Sequence, residues 1–113
     1  MTDLYDELQA KRNQLDASIR QLRKSGTEYA KNERDYKVLL RSECLRLREE
    51  GMAIGLIELT VYGIPSVAEA RFQRDIAKVV YDANQEAIAS LKLQMRLVEN
   101  QIQREWGSPN NSL

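Results

Sequence analysis

The 113 residues carry 17 basic and 17 acidic side chains, so the formal net charge is zero, and this length allows one small domain. Two Pro and five Gly are too few for an all-β domain, which needs a turn about every 8–12 residues. No His and a single Cys remove the commonest general base, any internal disulfide and a Cys-based zinc site.

The charge balance holds in both halves, with 11 basic and 10 acidic residues in 1–50 and 6 and 7 in 51–113. That argues against a strongly basic nucleic-acid module and against an acidic mimic of DNA. The start MTDLYDELQAKR lacks the basic end and apolar run of a signal peptide. The longest weakly charged run, Gly51 to Val67, is interrupted by Glu58 and falls short of a membrane span. With one thiol, Cys44, beside Leu40, Leu45 and Leu47, the expectation is a cytoplasmic protein with no membrane partner and a small buried Cys.

From Leu4 to Leu47 the apolar residues recur at helical spacing, and Leu8, Leu15, Leu22, Tyr29 and Tyr36 fall seven apart as a heptad seam. The companion positions Lys11, Ser18, Ser25 and Asn32 are polar, so the seam is thin until YKVLLRSECLRL. Thr2 and Asp3 are candidate N-caps, and Asp6 and Glu7 suit the positive end of a helix. Gly26 reads as a kink, or as a break before a second helix near Thr27. Gly51 reads as the C-cap. The stretch MAIGLIELTVYGIP is read as a short helix ended by Gly63, with an extended segment as the other reading. A lone strand would leave backbone groups unpaired.

Ser66 and Glu69 form a capping-box pattern, and neither Gly nor Pro interrupts the run from there to Trp106. On this helix the expected packing stripe is Phe72, Ile76, Val79, Val80, Ala83, Ala87, Leu91, Val98 and Ile102. Leu93 and Leu97 flank it on one side, and Tyr81, Ile88, Met95 and Trp106 on the other. Together these cover about two-thirds of the circumference, more than the ~100° that one packing face needs. One partner helix cannot cover that width, so an oligomer or another protein is expected. Tyr81, Ile88, Leu93, Leu97 and Trp106 are the candidate partner- or oligomer-binding residues.

No phosphate loop, nucleophile elbow or zinc spacing occurs. The carboxylates Glu49, Glu50, Glu69, Asp75, Asp82 and Glu86 read as a solvated face, with Arg74 and Lys78 as ion-pair partners. Catalytic residues, metal and cofactor are therefore all expected to be none. A second candidate set is basic: Arg20, Lys24, Lys31, Arg34, Arg41 and Arg48 lie opposite the Leu8–Tyr36 seam and could track a phosphate backbone. Tyr29 and Tyr36 continue the leucine seam and read as core.

The run RFQRDIAKVVYDANQEAIASLKLQMRLVENQIQREWG, with KVLLRSECLRLREEG upstream, resembles small uncharacterised helical proteins encoded by tailed phages and prophages of Gram-positive bacteria. The resemblance covers roughly residues 37–107 and consists of a helical pattern with an REW ending. It implies a gene among early recombination and replication functions and an infected or lysogenic host. No catalytic residue transfers with it, and residues 1–30 lie outside it.

The reading is an all-α fold, a long antiparallel helical hairpin with coiled-coil character and a short apolar connecting helix or loop. Residues 1–107 form one domain, with helices over about 3–50 and 66–106, a connector at 51–65 and a disordered tail at 108–113. The expected function is that of a non-enzymatic phage-encoded interaction protein. It would form a homo-oligomer and modulate another phage or host protein through an apolar helix face. The alternatives are a nucleic-acid-binding accessory of phage recombination or replication that uses the basic stripe, and a virion scaffolding or structural protein.

Overall fold

The computed structural model describes residues 3–106, and every regular element in them is helical. α1 spans Leu4–Glu49, α2 spans Ile54–Thr60 and continues into a 3₁₀ turn at Val61–Gly63, and α3 spans Pro65–Trp106. The fold is an all-α antiparallel helical hairpin, with α1 and α3 as arms and α2 as the apolar connector. Thr2 and the expected tail at 108–113 lie outside the described residues.

Short-range chemistry sets the ends of α1. The Asp3 carboxylate accepts from Tyr5 N at 2.9 Å, which satisfies one of the free amides of the first turn. At the other end Gly51 takes φ +92°. Gly51 N donates to Arg48 O at 3.0 Å and Met52 N to Leu47 O at 3.1 Å, the paired bonds of a Schellman cap. Between these ends Arg46 bonds Glu43 at 2.7 Å and Glu50 at 2.8 Å. These carboxylates, Glu43 first, raise its pKa above the ordinary arginine value.

Two sequence expectations are corrected here. α1 does not break before a second helix near Thr27, since one helix runs through Gly26. The α3 N-terminus lies one residue ahead of the Ser66 capping box. Pro65 takes the first helical position and Ala68 N donates to Ile64 O at 2.9 Å. Proline suits that position because its missing N–H would have had no partner there. Glu69 accepts instead from Gln73 Nε2 one turn on, at 2.9 Å.

The described residues fall into two compact units, whose division lies inside both long helices: Lys24–Asp82, and residues 3–23 with 83–106. The first unit holds the main core. Tyr36 and Leu47 from α1, Ile57 and Val61 from the connector and Val67 from α3 are buried together. Leu39, Leu40, Cys44, Met52, Ile64 and Ala70 pack against them. Val61 and Val67 are 2% and 0% exposed, so the connector is a helix docked on the arms and not an extended segment. Cys44 is a free, half-buried thiol at the edge of this core. In the second unit Leu8, Ile88 and Val98 are buried. Lys11 Nζ donates to Gln94 Oε1 at 3.0 Å and Asn84 Nδ2 to the Gln21 carbonyl at 3.5 Å. The number rises along α1 as it falls along α3, which is the antiparallel pairing of this unit.

Candidate interaction face

Within the unit Lys24–Asp82 the inward face of α3 is Val67, Ala70, Arg74, Ala77 and Tyr81, all buried or half-buried. At about 100° per residue these five lie on one side of the helix. Phe72, Ile76, Val79 and Val80 lie on the opposite side and are exposed, Phe72 at 56% and Val79 at 67%. This reverses the first part of the expected packing stripe: Phe72, Ile76, Val79, Val80, Ala83 and Ala87 are exposed, whereas its last residues, Leu91, Val98 and Ile102, are buried or half-buried as expected.

Three contacts explain the choice. Tyr81 stacks on Tyr29, with ring centroids 6.0 Å apart and planes at 28°. It also lies against Gly26, where a Cβ would come within 3.1 Å of Tyr81 Cε1. Glycine there admits the ring. Arg74 places its guanidinium 4.6 Å from the centroid of the buried Tyr36 ring and bonds Asp75 at 2.8 Å and Glu33 at 3.4 Å. Burial works to lower the Arg74 pKa, but Asp75 and Glu33 more than offset it, so the net shift is upward. Arginine thus fills an inward position by its planar stack and its pairs. An apolar periodicity cannot register that. The signal available in the sequence was on α1, where Ser25 and Asn32, the thin companions of the seam, face inward with Tyr29 and Tyr36.

The connector extends the open apolar surface of this unit. Ile54, Leu56 and Tyr62 are exposed and Leu59 is 82% exposed. Tyr62 sits under the Arg71 guanidinium at 5.5 Å, which fixes the aromatic ring one residue from Phe72 along α3. On α1 of the same unit, Lys37, Leu40, Arg41, Cys44 and Leu45 line an open groove of about 410 Å³.

The sequence-predicted residues divide accordingly. Ile88 is buried and Tyr81 half-buried against Tyr29, so both are occupied inside the hairpin. Leu93, Leu97 and Trp106 are exposed on the part of α3 that belongs to the other unit. Phe72, Ile76, Val79 and Val80, absent from the predicted set, are the exposed apolar residues that follow one another on a single helix face. The cations Arg20, Lys24, Lys31, Arg34, Arg41 and Arg48 are all exposed on α1, and Arg34 is tied to Asp35 at 2.9 Å. Among the carboxylates, Asp75 pairs with Arg74 and Asp82 with Lys78 at 2.9 Å. Asp82 holds the Lys78 pKa above its ordinary value. Among the described residues no three His, Cys, Asp or Glu side chains gather where a metal ion could sit, and no helix is long and apolar enough to cross a membrane.

No family model matches the chain, and neither a curated protein nor a solved structure is significantly similar to it.

Proposed function

We propose that this chain is a non-enzymatic helical interaction protein that modulates a partner protein by docking the outward face of α3 against it, in the cytoplasm. The observation that carries the reading is the run Phe72, Ile76, Val79 and Val80, open to solvent on a helix whose other side is already taken up by α1. Contiguous exposed apolar patches of this kind mark contact sites more than they mark isolated surfaces. An aromatic anchor such as Phe72 among aliphatic neighbours is the composition of an interface centre. An origin among phage or prophage proteins is part of the proposal, and would make the partner a phage or host protein.

The test is site-specific photocrosslinking in the cells that make the protein. A photoreactive residue at Val79 should give one discrete adduct, whereas the same residue at the exposed Lys31 should give none. Absence of any adduct at Val79, or an equal smear at both positions, would refute the reading. The exposed cations of α1 favour a second, nucleic-acid reading only through their shared accessibility, and acidic residues such as Glu28 and Asp35 are exposed among them.

A further inference from the structure

The geometry points to a further docking surface, on α1 of the unit Lys24–Asp82: the groove lined by Lys37, Leu40, Arg41, Cys44 and Leu45 receives an acidic amphipathic helix of a partner protein. This surface is separate from the outward face of α3. Groove shape and local charge carry it.

Shape selects a helix. Lys37, Arg41 and Leu45 stand four residues apart along α1, and so do Leu40 and Cys44. Rows of that spacing form ridges on a helix surface, and the channel between two of them accepts a ridge of another helix. Here the channel is open, with a volume of about 410 Å³. Leu40 and Cys44 are half-buried along one side of it, and Leu45 is 55% exposed on the other. Val38, two turns before Leu45 on the same side of the helix, is 65% exposed and lengthens the apolar lining.

Charge selects its chemistry. At about 100° per residue, Arg34, Lys37, Arg41 and Arg48 fall within a sector of about 60° on α1, and all four are exposed. The acids of the same stretch, Glu33, Asp35, Glu43, Glu49 and Glu50, lie outside that sector. Asp35 pairs with Arg34 and Glu33 with Lys37, while Glu43 and Glu50 are taken by Arg46. Arg41 and Arg48 have no carboxylate partner among the described residues. Two arginines without counter-charge beside an aliphatic channel fit a helix whose apolar ridge is flanked by carboxylates. Its ridge would fill the channel, and its carboxylates would accept charge-assisted hydrogen bonds from the guanidinium groups. A nucleic acid fits less well. Tyr29 and Tyr36 are half-buried and buried toward the hairpin interior, so no aromatic ring lies in this sector for a base to stack on, and a phosphate chain gains nothing from the aliphatic lining.

The probe is a fluorescein-labelled helical peptide with Leu along one face, Glu on both flanks of that face and Ala elsewhere. Its anisotropy, titrated with the purified full chain, should rise to saturation, and the same peptide with Gln for every Glu should not bind. Arg41→Glu and Arg48→Glu should each weaken binding about tenfold. With both substitutions present, a peptide carrying Lys for every Glu should bind in place of the acidic one. Leu45→Ser should weaken binding as well, which attraction between charges alone would not produce. Val79→Asp should leave it unchanged, because α3 docks separately. Every substituted side chain is exposed, and unchanged far-UV circular dichroism checks that each variant folds. Absence of saturable binding, equal binding of the Gln peptide, or indifference to Arg41→Glu and Leu45→Ser overturns the inference. A single-stranded oligonucleotide that displaces the peptide and binds more tightly overturns it in favour of a nucleic acid.

Discussion

At the scale of single residues, the hairpin is held by contacts that an apolar pattern undervalues. Gly26 sits mid-helix, where Ala would ordinarily gain about 1 kcal/mol. Here the new Cβ would meet the Tyr81 ring at 3.1 Å. Gly26→Ala should therefore gain well under that amount, or lose stability. In a Tyr81→Ala background it should gain the full ~1 kcal/mol. Urea unfolding of the four proteins in this cycle measures the coupling, and strict additivity would show that the close approach costs nothing. Arg74 makes the complementary case. With 20% of its side chain exposed, Arg74→Ala should cost about 1–2 kcal/mol through the lost Tyr36 stack and the Glu33 pair. Arg74→Lys should recover less than half, because an ammonium keeps the charge but not the planar stack. Full recovery by Lys would reduce the role of Arg74 to charge alone.

At the scale of elements, α3 has two apolar-looking sides, and the choice between them separates stability from docking. Val67 is fully buried against the connector core. Val67→Ala should cost about 2 kcal/mol, from two lost methylene equivalents and the space they leave. Leu59, 82% exposed on the connector, should tolerate Ser within about 0.5 kcal/mol at concentrations too low for association. Chemical denaturation of both variants checks the contrast, and a Leu59→Ser loss matching that of Val67→Ala would place Leu59 in a core.

The long helices, the Gly51 cap, the Asp3 cap and the inward seam from Leu8 to Tyr36 were legible in the sequence. Each follows from local chemistry or from a heptad on one chain segment. The facing of α3 from Phe72 to Ala87 was not, although Leu91, Val98 and Ile102 lie inward as expected. Its most hydrophobic stripe, through Phe72 and Val79, is a poorer match to the Ser25–Asn32 side of α1 than is a row of Ala70, Ala77, Tyr81 and Arg74. That match is a property of two helices together, and it decided which of the predicted docking residues were free. Tyr81 and Ile88 went inward. Leu93, Leu97 and Trp106 stayed open.

At the scale of the molecule, an inward face of small, aromatic and arginine side chains between Ala70 and Tyr81 leaves the aliphatic side of that stretch of α3 unspent for a partner. The basic residues of α1 yield a separate expectation. If the apolar face carries the function, Arg34→Glu with Arg41→Glu should leave association unchanged. Binding to a labelled single-stranded oligonucleotide should also stay negligible at near-physiological salt, before and after the change. Oligonucleotide affinity that falls steeply with salt and disappears in this variant would transfer the function to the basic stripe.

The most direct measurement is thermal melting followed by far-UV circular dichroism, with Val67→Asp and Val79→Asp compared at low micromolar concentration. The inward assignment of Val67 and the outward assignment of Val79 predict opposite results. Val67→Asp buries a charge in the connector core and should abolish the cooperative melt. Val79→Asp should keep its helix content and melt cooperatively, because its side chain faces solvent in the single chain. Loss of structure in Val79→Asp as deep as in Val67→Asp would contradict the division of α3 into a face that folds the hairpin and a face left for a partner.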